Sequence, residues 1–373
     1  ILVIIMASDS TKIILFYSGQ RGQPITKNTT HVTVCSTVKV IDAFTFNDCS
    51  KLMDIQLNEG LEEMKSYAFR GCTALKSIKL PSTVSVIGED VFKCCTSLES
   101  VKLPSTVRVL GEGAFDCCTS LESIKLPSTV KVVGNAAFSS CTKLVNVDLN
   151  EGLEKISTMT FERCKSLESI TLPSTVKVVG NRAFWSCTKL TNVTLNKGLT
   201  SIGDGVFTLC TSLENIAPPP TVKVVGYGAF SSCTKLANVD LNEGLENISR
   251  TFYGCTSLAS IKIPSTVKVI DEGAFGDCTK LENVQLSDRL KVIGEEAFYC
   301  CTSLVKIELN EGLESIGGWA FTGCTSLKSV LVPSTVKVIE LHAFYGCSSL
   351  VNVHLNEVWR LLEMGRSKTV YQC

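Results

Sequence analysis

Cysteine is the first residue type in this sequence that could do chemistry, with 19 copies in 373 residues against only 3 His. A thiolate can act as a nucleophile, ligate zinc or pair as a disulfide, and each role demands its own spacing. Zinc sites use C-x-x-C or paired His, and neither pattern occurs in the chain. His31, His342 and His354 fall in different parts of it. His342 and Cys347 are the nearest thing to a Cys–His nucleophile pair, and an ordinary substitution at a variable position accounts for them better. H-E-x-x-H, G-x-S-x-G and G-x-x-x-x-G-K-S/T are all absent. The glycine pairs Gly111/Gly113 and Gly226/Gly228 lack the third glycine of a dinucleotide loop. Carboxylates are numerous, yet each occupies a position that elsewhere takes Lys, Ser or Asn. The sequence therefore predicts no catalytic residue, no metal ligand set and no cofactor.

The cysteines belong instead to a spacing. Phe46, Phe69, Phe92 and their successors to Phe344 recur every 23 residues, with one interval of 22 before Phe252, and take up 14 of the 16 Phe. A Cys stands three residues after each of these Phe, which leaves Cys35, Cys94, Cys117, Cys300 and Cys373 outside the column. One unit reads CTSLESVKLPSTVRVLGEGAFDC, and a second flavour replaces PSTV with NEGL. Within a unit, Leu98, Val101 and Leu103 end in the alternation of a strand with one buried face. Pro104, or Asn-Glu-Gly in the other flavour, stops that strand, because Pro cannot donate to a ladder and Gly permits positive φ. A second β-branched segment, Val107 to Leu110, closes at Gly111. The piece A-F-x-x-C is too short for a stable helix and reads as one helical turn. Such a coil buries its apolar face only against copies of itself, so the repeat Phe should form an internal spine.

This L-x-x-I-x-L pattern with a Cys in the preceding turn resembles the leucine-rich repeats. The P-S-T-V-K-V-I-G-x-x-A-F-x-x-C half resembles their BspA-like branch, and the likeness runs from about Val32 to Leu355. It implies an α/β fold: a single solenoid of about 14 coils of 23 residues, with parallel strands and short helical turns. It also implies a concave face that binds protein or glycan, and no catalysis. The expected organisation is an N-terminal segment and cap at 1–34, the array at 35–356, and a C-terminal cap or tail at 357–373. Lys12 to Tyr17 and His31 to Val34 read as strands covering the first coil. Val358, Trp359, Leu361, Leu362 and Met364 have the spacing of an apolar helical stripe over the last. No basic segment or A-x-A site marks a signal peptide, and Met6 reads as the natural start.

Fourteen cysteines in one column read as buried thiols, since in-register neighbours sit ~4.8 Å apart, wider than a disulfide wants. Cys94 and Cys117 differ: their slot elsewhere holds Asp48, Arg163, Ser186 and Asp277, so they are expected to be exposed neighbours and the one candidate disulfide or metal pair. The odd total and the thiol abundance favour a reducing, intracellular compartment. Lys+Arg and Asp+Glu are both 36, so no basic footprint points to nucleic acid. The longest apolar run, Ile1 to Ala7, is far short of a membrane helix. Of the sequons at Asn28, Asn192 and Asn247, Asn28 is the one worth testing, and only in a secreted protein.

The surface slots carry the functional expectation. On the strand face the exposed column runs Lys79, Lys102, Lys125, Asp148, Thr171, Thr194, Ala217, Asp240, with Ser77, Ser100 and Ser123 two residues earlier on the first three of these strands. Glu99 and Glu122 could offset the lysines. The Thr column after the repeat Cys is one residue wide and lies at a turn, too narrow for ice or mineral binding. Two readings remain. The first is a non-catalytic scaffold binding a protein partner through Lys79, Lys102, Lys125, Ser77, Ser100 and Ser123, inside the cell or within a larger assembly. The second is an extracellular adhesin for a host or matrix glycoprotein. Structurally, Ala217-Pro218-Pro219-Pro220 and the missing residue between Asn247 and Thr251 either loosen the array there or are neutral drift absorbed by the turns.

Overall fold

The computed structural model describes residues 4–6, 13–19 and 25–354. The chain divides into two compact units, Ile1–Leu190 and Thr191–Cys373. In both units the coils contribute two short strands each, except that the coil after Cys301 has only the Lys306–Ser329 bridge at its front. The front strand, such as Ser100–Lys102, has exposed ends and a buried centre, and the second, such as Val109–Leu110, buries its last residue. Successive coils pair these strands in parallel, with Lys79 beside Lys102 and Val109 beside Val132. At the start of the first unit, Ile13–Tyr17 pairs in parallel with His31–Val34, which pairs with Asp54–Gln56 of the first coil. The strands expected there are thus present. The apolar stripe from Val358 to Met364 lies outside the described residues.

The expected helical turns are not there: no helix occurs among the described residues, and the α/β assignment is corrected to an all-strand-and-turn coil. The backbone explains why. In every coil the residues two before and two after the repeat Phe have φ between +49° and +73°, as at Asp90 and Cys94 around Phe92. A right-handed helix cannot pass through left-handed residues. The N–H groups go elsewhere instead. Asp90, Phe92 and Cys94 donate to Glu112, Ala114 and Asp116 of the next coil, each at 2.8 Å. Lys93 and Cys95 donate three residues back, to Asp90 and Phe92. The A-F-x-x-C piece is therefore a third inter-coil ladder, made of linked β-turns.

That ladder positions the core. The repeat Phe from Phe46 to Phe321 are fully buried, and the last, Phe344, is half-buried. Within a unit consecutive rings stack nearly parallel, as in Phe92–Phe115 at 5.2 Å and Phe115–Phe138 at 5.5 Å. The Cys column is buried beside them, as expected, and has a defined job. The Cys118 thiol donates to the Phe92 carbonyl at 3.1 Å, the same oxygen that already accepts the Cys95 N–H at 3.0 Å. Both lone pairs of a buried carbonyl are thus used. Several of the Thr that follow these Cys are used structurally too: Thr119 donates to the Thr96 carbonyl at 3.3 Å and Thr142 to the Thr119 carbonyl at 3.4 Å.

The irregular region differs from its neighbours in its strands and not in its turns. Pro218 is buried in the inward slot, and the front strand before it shortens to Asn215–Ile216. The coil that lacks a residue pairs its front strand, Asn238–Val239, only backward and its second strand, Asn247–Ile248, only forward. Its turn ladder and its Phe252 stacking stay continuous on both sides, at 5.6 and 5.5 Å.

Two outcomes are expected. Phe115→Ala removes a ring flanked by two others and should cost ~3–5 kcal/mol in chemical denaturation. The second concerns alkali. Burial raises the thiols of Cys95, Cys118, Cys141 and Cys164, and brings Cys49 to about 12. In the unfolded chain they titrate near ~8.5. Below that value both states hold the proton and the stabilisation is complete. Above it only the folded state does, so stability should fall by ~1.4 kcal/mol per pH unit for each such thiol. Urea midpoints measured under reductant should therefore drop steeply between about pH 8.5 and 10.

Candidate interaction surface

The front strands place the lysine column where the alternation put it. Lys79, Lys102 and Lys125 are exposed at the ends of Ser77–Lys79, Ser100–Lys102 and Ser123–Lys125, and Ser77, Ser100 and Ser123 are exposed at the other ends. The buried centres, Ile78, Val101 and Ile124, hold the strands to the core. The charges differ from expectation in one respect. Lys125 is paired across the ladder with Asp148 at 2.7 Å, whose hydrogen bond and charge raise the lysine's pKa. Among the described residues Glu99 and Glu122 form no ion pair, and Lys79 and Lys102 stand without one. The stripe is thus two open cations followed by a neutralised third.

Two open troughs on the front face were not foreseen. One, of about 600 Å³ in the first unit, is lined by Ser123, Lys125, Asn146, Asp148, Ser169 and Thr171 over the floor of Val147. The other, of about 560 Å³ in the second unit, is lined by Asn192, Asn215, Asn238 and Asp240, with Val193, Ile216 and Ala217 below. Asn238 donates to the Asn215 side-chain oxygen at 2.7 Å, so neighbouring coils present a short amide ladder. The signal in the sequence was the change from Ser-Ile to Asn-Val in some coils. Val147, Val193 and Val239 are only half-buried, whereas Ile78 and Ile124 are buried. The smaller side chain at the floor, and Ala217 in the stripe slot, leave the space.

The thiols outside the column are half-buried rather than open. Cys94 and Cys117 lie on adjacent coils, joined through the bond from Cys94 N–H to the Asp116 carbonyl at 2.8 Å. Both thiols are free, and the Cys117 thiol points to a carboxylate oxygen of Asp116 at 3.5 Å. Partial burial and that carboxylate raise Cys117 to about 11, which makes it a poor nucleophile at neutral pH. Among the described residues no group of three His, Cys, Asp or Glu could hold a metal ion. His342 does not activate Cys347, whose buried thiol donates to the Phe321 carbonyl at 3.1 Å. Asn28 is exposed, but the hydroxyl of Thr30 in the same sequon is buried and bonded to the backbone of Ile13.

The repeat itself is shared. Residues 25–145, 132–253 and 249–364 match the family described as BspA type Leucine rich repeat region (6 copies). The chain belongs to this BspA-type leucine-rich repeat family. A leucine-rich repeat protein from Bacteroides ovatus is 31% identical, with 94% of this chain and 92% of that one covered at a TM-score of 0.84. A leucine rich cell surface protein from Faecalibacterium prausnitzii is 24% identical over 96% of this chain and 95% of that one, with a TM-score of 0.53. A leucine-rich repeat protein from Eubacterium ventriosum is 23% identical over 86% and 77%, with a TM-score of 0.50. No curated protein matches the chain. No helix among the described residues is long and apolar enough to cross a membrane.

The burial pattern makes thiol chemistry countable. A small aromatic disulfide reagent should modify Cys35, Cys94, Cys117 and Cys300 in the native state, with Cys117 the slowest. The buried repeat thiols should react only after denaturant is added. Rapid native reaction of the column, scored by peptide mass spectrometry, would contradict this assignment.

Proposed function

We propose that this protein is a non-catalytic interaction scaffold that binds a protein partner through its front strand face. Support comes from the family, whose leucine-rich repeats present arrays of variable side chains on a fixed frame. The observation that carries it is the division of labour along each front strand. The central residue is spent on the core, while its two neighbours face solvent and are free of packing constraints. The proposal takes residues 35–356 as the array and 1–34 and 357–373 as its ends. It places first contact at Lys79 and Lys102, with Lys125, Ser77, Ser100 and Ser123 beside them, facing an acidic partner. It assigns no cofactor, and the one acid–base pair lining a front-face trough, Lys125 with Asp148, is an exposed ion pair.

The preference for a reducing compartment loses its basis. The repeat thiols are buried donors to Phe carbonyls and stay free in either compartment, so their number argues for neither. The adhesin reading differs from the scaffold reading in partner class, and one experiment separates them. Wild-type chain and the Lys79→Glu/Lys102→Glu/Lys125→Glu variant serve as paired baits against extract and against matrix glycoproteins. The reversed charges should slow association roughly tenfold or more, with a shallower salt dependence and an unchanged circular dichroism spectrum. A partner that binds both baits equally places the contact elsewhere.

A further inference from the structure

The slot two residues before the repeat Phe is left-handed in every coil, and glycine fills it with least strain, as at Gly113, Gly205, Gly228 and Gly273. Bulky rings stand there instead in two pairs of neighbouring coils: Phe44 and Tyr67, stacked at 4.7 Å, in the first unit, and Trp319 at φ +54° and His342 at φ +61° in the second. The Trp319 and His342 rings do not recover the strain by burial. Trp319 is 39% exposed, and Leu341 and Tyr345 beside them are 65% and 51% exposed. The three rings form one cluster, with Leu341 exposed next to His342 in the chain. The Trp319 and His342 rings lie 5.7 Å apart, His342 and Tyr345 meet edge to face at 5.3 Å, and the Trp319 backbone N–H donates to the Leu341 backbone carbonyl. The slot next to the Phe elsewhere takes Asn47, Ser139 or Thr208, so the fold does not call for Tyr345 either.

Carboxylates border this cluster on the same turn face. Glu340 accepts the Gly318 N–H at 2.9 Å, and Glu296 donates its own N–H to the Gly318 carbonyl at 3.0 Å. Glu295 lies one residue before Glu296 and is exposed. Among the described residues none of these three has a cation partner. The nearby Lys291 and Lys337 both pair with Glu314 on the second strands. Glu272, one coil earlier, is held by Arg250 at 3.7 Å.

We propose that Trp319, Leu341, His342 and Tyr345, ringed by Glu295, Glu296 and Glu340, form a docking site for a cationic, apolar peptide segment of a partner protein. Aromatic rings accept guanidinium or ammonium groups on their faces, and three unpaired carboxylates hold the same charges at the rim. Exposed Trp and Tyr supply contact area with few rotatable bonds, the composition of interface hot spots. The acidic border repels anionic lipid and phosphate, which excludes a membrane headgroup as the occupant. This site is separate from the front strand face and acts independently of the lysine stripe.

The test uses the full chain and calorimetric titration with a short alternating Arg-Leu peptide, a Glu-Leu peptide and a neutral maltooligosaccharide. The Arg-Leu peptide should bind and the other two should not. Trp319→Gly/His342→Gly should weaken binding by at least about tenfold, and Glu296→Gln/Glu340→Gln should do the same. The glycine variant should keep its thermal midpoint or raise it, because glycine occupies this slot in other coils. The Lys79→Glu/Lys102→Glu/Lys125→Glu variant should bind the peptide as wild type does, whatever becomes of the front-face reading. Equal affinity of the glycine variant, equal binding of the Glu-Leu peptide, or binding of the oligosaccharide in place of the Arg-Leu peptide overturns the proposal.

Discussion

A phenyl ring recurring at 23-residue intervals is sandwiched between the rings of the coils above and below it. No coil can satisfy that requirement alone, so the stack is the smallest unit that has a core. Everything else in the coil keeps successive rings about 5.5 Å apart and in line. The front strand sets the spacing on one side and the second strand on another, and the left-handed turn ladder locks the side that carries the rings. The Cys column closes this arrangement by occupying the second lone pair of each Phe carbonyl, which a Ser would do with more polarity and an Ala could not do. Its abundance is therefore a packing fact, unrelated to redox or metal chemistry.

The two flavours of coil are complementary. Thr129 in a PSTV coil and Asn150 in an NEGL coil both reach back to a carbonyl of the preceding coil, Val107 and Val130, at 2.6 and 3.0 Å. The Glu of an NEGL coil then takes the hydroxyl and N–H of the Ser in the next coil, as Glu59 does with Ser82, Glu151 with Ser174 and Glu243 with Ser265. Three of the four junctions from an NEGL to a PSTV coil are thus joined by a clasp that two PSTV coils lack; among the described residues, Glu311 and Ser334 do not form it. Surface charge is spent in the same way, with Glu62 beside Lys39 and Glu314 between Lys291 and Lys337.

Much of this was legible because the repeat averages out local noise. Position by position, invariant Phe and Cys announced burial, and the Ser-Ile-Lys alternation announced a half-buried strand. The A-F-x-x-C turn was misread because a short apolar piece with Ala and Phe has helix-like composition, while the deciding fact is the φ of its neighbours. A clue existed: Gly113, Gly205, Gly228 and Gly273 share one slot and Gly71, Gly254, Gly323 and Gly346 another, which is the mark of left-handed backbone. The exposed lysines were placed correctly, yet the Lys125–Asp148 pair and the two troughs depend on cross-coil distances that periodicity does not contain. Residues 319 and 342 stand one repeat apart, so coil stacking brings them side by side; the cluster escaped because the slot before the Phe reads as part of a helical turn.

The coil that lost a residue before Phe252 shows how such a chain can be edited. Its two strands no longer reach both neighbours, but the turn ladder and the phenyl column carry on without interruption. A length error is thus absorbed on two sides of the coil and forbidden on the third. The same asymmetry makes this coil a mechanical hinge line. A load that pries the strand sides apart meets one missing ladder at each junction of this coil, the second-strand ladder before it and the front ladder after it, while the phenyl side remains stitched and acts as the pivot.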